Sequence, residues 1–176
     1  DLECYTWEFP LPPFINRWHR SVSWAGRMAN FVSDEFTKEV PGGMRILYAH
    51  SAGGDATYQT VLQAPLIRGQ RQRQRMYDDI NILNGRADAR KLVRALKTGG
   101  YSWWQVKVFT NDGDLPANPN WSLSNYDVAK QNAGKSWVHL HCCDIPGVKL
   151  DHSALRDNIN ILGTFELNLK PKVGPP

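Results

Sequence analysis

The chain has 176 residues, 21 Lys+Arg against 17 Asp+Glu for a formal net charge of +4, and 41% hydrophobic residues, with a pI near 9.0. That length suits one domain over 1–176, able to bury roughly 70% of the surface its unfolded chain exposes, and the composition is that of a soluble globular protein. No apolar run reaches the roughly 20 residues of a bilayer span; the start Asp1-Leu2-Glu3-Cys4 lacks the order of a secretory leader, and three cysteines give neither a disulfide framework nor a CxxC metal spacing.

Residues 2–9 alternate and are rich in aromatics, which predicts a strand, broken by Pro10, Pro12 and Pro13. Trp18, Val22, Ala25, Met28, Ala29, Val32 and Phe36 recur at three- and four-residue steps, the apolar face of a helix within 15–40 that Pro41-Gly42-Gly43 ends. Residues 44–49 form a short apolar run expected as a buried strand, and after Ser51-Ala52-Gly53-Gly54 a helix is expected over 55–66. Four arginines alternate with glutamine from Arg68 to Arg75. They suit a solvated loop, but in an extended loop Arg71, Arg73 and Arg75 project to one side and suit phosphates, on lipid headgroups or nucleic acid.

Further strands are predicted over 79–84, 103–110 and 137–143, and helices over 87–96, stopped by Thr98-Gly99-Gly100, and 153–162. Residues 111–136 read as a polar excursion with one short helix over 124–131. Strand and helix in strict alternation predict an α/β fold, a mostly parallel sheet with helices on both faces. Reactive groups of such sheets gather at the carboxyl ends of the strands. Ser51, the Asp112/Asp114 pair and His152 all fall there.

A serine on a sharp strand-to-helix turn needs small neighbours two positions to either side. Such a turn exposes the hydroxyl, sets the next backbone N–H, that of Ala52, where an oxyanion would form, and adds the dipole of the helix N-terminus. Ala49-His50-Ser51-Ala52-Gly53-Gly54 resembles the nucleophile elbow of the α/β-hydrolases, the fold of lipases, esterases and cutinases, with Ala49 where the pattern Gly-x-Ser-x-Gly has its first glycine. The family order of serine, acid, histidine implies Asp114 as the acid, with Asp112 as the alternative, and His152 as the general base. Asn111-Asp112-Gly113-Asp114 is equally suited to a plain polar turn. His50 is expected to shape the elbow. The second oxyanion donor would come from the proline-rich stretch at 9–14, where Leu11 or Phe14 carries an N–H. Only 50 residues precede Ser51, so the resemblance implies a reduced form: a three-layer αβα sandwich with a sheet of about five strands.

The resulting expectation is a serine hydrolase acting on an ester, with lipid or phospholipid favoured, through an acyl-enzyme and with no cofactor or metal. An anionic membrane surface is the expected contact of the arginine run, and nucleic acid is not expected. The excursion over 111–136 would be a lid or cleft wall, with Trp121 lining a substrate cleft. Were the chain a toxin domain released from a larger polypeptide, an inhibitor or immunity protein would be a further partner. Two rival readings stand beside this one. His139, His141, Cys142, Cys143, Asp144, Asp151 and His152 are residue types that metals favour, consistent with a metal-dependent nuclease. A non-catalytic α/β binding module would use exposed tryptophans. Compartment and oligomeric state have no signal in the sequence.

Overall fold

The computed structural model describes residues 42, 44–64, 69, 75–85, 94–95, 97–101, 105–111, 113–114, 137–140 (backbone) and 145–159. Within them the elements run β1 (Ile46–His50), α1 (Gly53–Gln63), β2 (Asp79–Leu83), β3 (Val106–Asn111), β4 (Trp137–Leu140) and α2 (Ala154–Asp157). The class is α/β, as the alternation predicts. The four strands form one sheet in the order β1-β2-β3-β4, every pair parallel. Parallel neighbours need crossovers of a dozen residues or more, which explains why the strands are separated by long segments rather than hairpins.

Register divides the side chains between two faces. Leu47 and Ala49 on β1 align with Ile80 and Ile82 on β2, and these with Val106 and Val108 on β3. They form a core with Val61 and Ala64 at the C-terminal end of α1, and with Met76, Tyr77, Ala95 and Tyr101. The intervening positions Leu83 and Phe109 look to the other face, where they pack with Ile145, Leu150, Ala154 and Leu155. β2 is buried on both faces over 80–83, with one polar residue in the run: buried Asn81, whose amide donates to the Leu47 carbonyl at 3.4 Å and to the Asp79 carboxylate at 3.3 Å.

Polar groups fasten the N-terminal ends of the strands. The Arg45 backbone N–H and guanidinium donate to the Asp78 carboxylate at 2.8 and 3.2 Å, while the Arg45 carbonyl accepts from the Asp78 and Asp79 N–H groups. Lys107 reaches Asp79 at 3.0 Å. The buried Tyr101 hydroxyl accepts from the N–H groups of Met76 and Tyr77, satisfying the chain as it enters β2. Residues 94–95 and 97–98 are helical and give way to Gly99-Gly100, where Gly100 has φ +76°, the left-handed conformation that glycine takes without a Cβ penalty.

Several boundaries differ from the sequence reading. β1 extends through His50, and α1 begins at Gly53 rather than at Asp55. β3 starts at Val106, three residues later than expected, and ends at Asn111, so Asn111 belongs to the sheet and not to the excursion. The reason is that its N–H finds an acceptor: the Asn84 side-chain oxygen, 3.2 Å away, continues the ladder one residue past the end of β2. The described sheet has four strands; the fifth predicted one, at 2–9, lies outside the described residues, as do the helix at 15–40 and the short helix at 124–131. Among the described residues no helix is long and apolar enough to cross a membrane.

Candidate active site

Ser51 follows β1 directly and has φ +54°, a conformation that costs a residue with a Cβ roughly 1–2 kcal/mol. Its N–H donates to the Leu83 carbonyl at 3.1 Å and its carbonyl accepts from Gly54 N–H at 3.1 Å. These two bonds hold the left-handed turn between the end of the sheet and the first turn of α1. A Cβ added to Gly53 would lie 3.3 Å from that of Ala49. The two positions flanking the serine are thus in close contact, and alanine at 49 leaves little room for a side chain at 53. The chain enters the helix through Ala52, with φ −60°, and none of the bonds among the described residues uses the Ala52 N–H.

Asp114 lies just beyond β3, fully buried, and its Oδ1 is 2.5 Å from Nδ1 of His152, whose side chain is 22% exposed. The carboxylate accepts, so the Nδ1–H tautomer is set and Nε2 is left as the basic nitrogen. Gly113 explains how the two loops come so close. A Cβ there would sit 1.7 Å from the Leu150 carbonyl oxygen and 2.9 Å from Asp151 Cα, so the acid loop and the histidine loop touch backbone to backbone.

Three side chains from the ends of three adjacent strands support the histidine loop. His50, at the end of β1, donates Nε2–H to the His152 carbonyl at 2.7 Å, and the two rings lie 4.8 Å apart, tilted by 46°. Asn84, beyond β2, donates to the same carbonyl at 3.1 Å and to that of Asp151 at 3.4 Å. Asn111, closing β3, donates to the Asp151 carbonyl at 3.0 Å and accepts the Asp114 N–H at 3.1 Å. Burial pushes the His50 imidazole below its ordinary value of 6.5, with the nearby His152 and Arg156 adding to the shift and the bond to the His152 backbone opposing it. The Asp151 carboxylate accepts from the N–H groups of Ser153 and Ala154 at 2.8 and 3.0 Å, a local turn that leads into α2.

Ser51, Ala52, Asp114 and His152 therefore all lie at the carboxyl end of the sheet, the histidine bonded to the acid and its ring beside that of His50, the residue preceding the serine. Leu11, Phe14, Asp112, Trp121, Arg71, Arg73, His141 and Asp144 lie outside the described residues. Arg75 is exposed, and His139 stands in β4 opposite Thr110. No group of three or more potential metal ligands occurs among the described residues. Sequence reading passed over Asn84, Gly113 and the buried role of Asn111. The signals were an asparagine at the end of each of two successive strands and an Asn-Gly pair after β2, each also an ordinary turn signature. No family model, curated protein or solved structure matches this chain.

Proposed function

We propose that this protein is a serine hydrolase of the α/β-hydrolase kind, in a reduced three-layer αβα form, that cleaves esters through an acyl-enzyme on Ser51. The observation that carries the reading is the buried Asp114 held 2.5 Å from His152 at the sheet end where a strained serine opens a helix. A left-handed serine is costly, and such strain persists where a hydroxyl must be presented on a tight turn.

In this reading Nε2 of His152 takes the Ser51 proton as the hydroxyl oxygen bonds to the ester carbonyl carbon. Asp114 fixes the tautomer and stabilises the imidazolium. The Ala52 N–H and the start of α1 stabilise the oxyanion. The imidazolium then protonates the leaving alcohol. Water, deprotonated by the same nitrogen, next attacks the acyl carbon; the bond to Ser51 breaks, the imidazolium returns the proton to the serine oxygen, and the acid is released. Leu11 remains the proposed second oxyanion donor and Trp121 the proposed cleft residue. A lipid or phospholipid ester is the favoured substrate, because the four arginines between 68 and 75 are a concentration of positive charge that anionic headgroups would attract.

The test is labelling by a fluorophosphonate probe with the modified residue mapped, together with hydrolysis of p-nitrophenyl butyrate. Label on Ser51, and a loss of several orders of magnitude in turnover for Ser51→Ala, are expected. Asp114→Asn should also lower turnover strongly, and Asp112→Asn should not. Undiminished turnover by Ser51→Ala rules the reading out, and activity abolished by EDTA would favour the metal-dependent nuclease instead.

A further inference from the structure

We propose that Asn84 and Asn111 are positioning residues for the acid–histidine pair, acting through its backbone rather than its side chains; the inference rests on the hydrolase reading above. Both side chains are completely buried, and each amide is used at both ends. Asn84 accepts the Asn111 N–H through Oδ1 and donates to two successive carbonyls, those of Asp151 and His152. Asn111 accepts the Asp114 N–H through Oδ1 and donates to the Asp151 carbonyl. The two amides thus form one chain of bonds from the end of β2, through the end of β3, to the loop of the acid on one side and the loop of the histidine on the other. His50 adds a third donor to the same pair of carbonyls.

The residue type is informative. Every acceptor on the histidine loop is a carbonyl, and every group met on the acid side is an N–H. Only a primary amide carries both a donor and an acceptor at this length. An aspartate has the same shape but no donor, so it would turn a carboxylate oxygen toward a carbonyl. Asn84 also sits at φ +43°, a region in which asparagine is enriched among residues with a Cβ, so one residue supplies both the turn after β2 and the clamp. Two loops separated by 36 residues in sequence, at Asp114 and Asp151, are held to a common frame that belongs to the sheet. In the proposed reaction the histidine is protonated and deprotonated twice per turnover. A loop held by both of its carbonyls keeps Nδ1 on Asp114 through those changes, and a displacement of about 1 Å at a reacting group costs about a hundredfold in rate.

Asn84→Gly is the decisive variant, because glycine accepts the left-handed backbone without strain and only the amide is lost. Asn84→Asp keeps the acceptor for Asn111 and removes the donor. Two readings are taken on the whole chain: kcat and KM for p-nitrophenyl butyrate, and the downfield NMR resonance of the His152 Nδ1 proton, assigned by its absence in His152→Gln. Both Asn84 variants should lower kcat by about a hundredfold, hold KM within about twofold, and broaden or abolish the resonance. Thr60→Val, which removes a bond within α1, should lower the melting temperature and leave both readings unchanged. If the Asn84 variants do not fold, Asn111→Ser is read in the same two ways. A wild-type kcat with an intact resonance in Asn84→Gly, or an unmoved resonance in Asn111→Ser, overturns the proposal. If wild-type protein neither hydrolyses the ester nor takes the fluorophosphonate at Ser51, the hydrolase reading fails by itself, and the resonance alone decides whether the asparagines hold the pair.

Discussion

Ser51 and Asn84 are the two residues with a Cβ and positive φ among those described, and they stand at the ends of neighbouring strands. For Asn84 the conformation is inexpensive and the side chain is put to use beneath it. For Ser51 it is a cost, borne where glycine would fold better. Ser51→Gly should therefore unfold at higher denaturant than Ser51→Ala, by about 1 kcal/mol at 25 °C, although neither carries a hydroxyl. Equilibrium unfolding of the two variants makes the comparison without any assay of activity. Equal stability would mean that the turn is not strained, and the strongest local mark of an elbow would be gone. The serine was legible in the sequence because it stands between an apolar run and small residues. Its strain was not, since φ follows from the Ser51–Leu83 bond to a strand 32 residues further along the chain.

Strands and helices were legible to different depths. β2 announced itself by a mostly apolar run. β1 is marked by an apolar run before Ser51-Ala52-Gly53-Gly54, but it is not the buried strand that run predicts: it stands at the end of the described strand order, with Met44, Ile46 and Tyr48 exposed. The true end of β3 had no such mark, because Asn111 and Asp112 look alike as turn formers and only the Asn84 side chain distinguishes the residue that stays in the ladder. The histidine loop was placed correctly ahead of a helix, but the close contact of that loop with Gly113 is a tertiary fact. Nothing local reports that a glycine's missing Cβ is occupied by the carbonyl of Leu150. Gly113→Ala is accordingly expected to be far more damaging than a surface glycine change. The two loops must part by more than an ångström, which draws Asp114 from His152 and exposes a buried carboxylate. Turnover should fall by at least about a hundredfold and stability by about 1–3 kcal/mol, the usual effect of overpacking. Gly147→Ala, at an open position with φ +74°, is the matched control and should lose stability through backbone strain alone, with its turnover retained. Full activity in Gly113→Ala would show that the acid and histidine loops need not touch.

Across the whole molecule the two ends of the sheet are fastened by different chemistry, and they respond to acid in different ranges. At the N-terminal end Asp78 is held by Arg45; burial works to raise its carboxyl, but the bonds to Arg45 outweigh it and leave the group below its ordinary 3.8. Its contribution to stability is complete above 3.8 and disappears only as pH falls through that lower folded value. At the C-terminal end His50 is the titrating clamp. Burial lowers its folded value beneath 6.5, so the unfolded chain takes up the proton first. Stability from the neutral ring is therefore complete above about 6.5 and declines as pH falls from there toward the folded value. The groups acting on that ring are His152, Arg156, Asp114 and Asp157, and a proton on His50 would set a positive charge 4.8 Å from the His152 ring. Wild-type protein should thus lose stability between pH 7 and 5, above the range in which Asp78 responds. His50→Gln, which keeps an N–H donor for the His152 carbonyl and does not titrate, should show a flatter dependence over that interval and converge with wild type in slope below it. The measurement is the urea midpoint at successive pH values for the two proteins. If the two curves run parallel from pH 7 to 5, the acid sensitivity of the site end of the sheet does not come from His50.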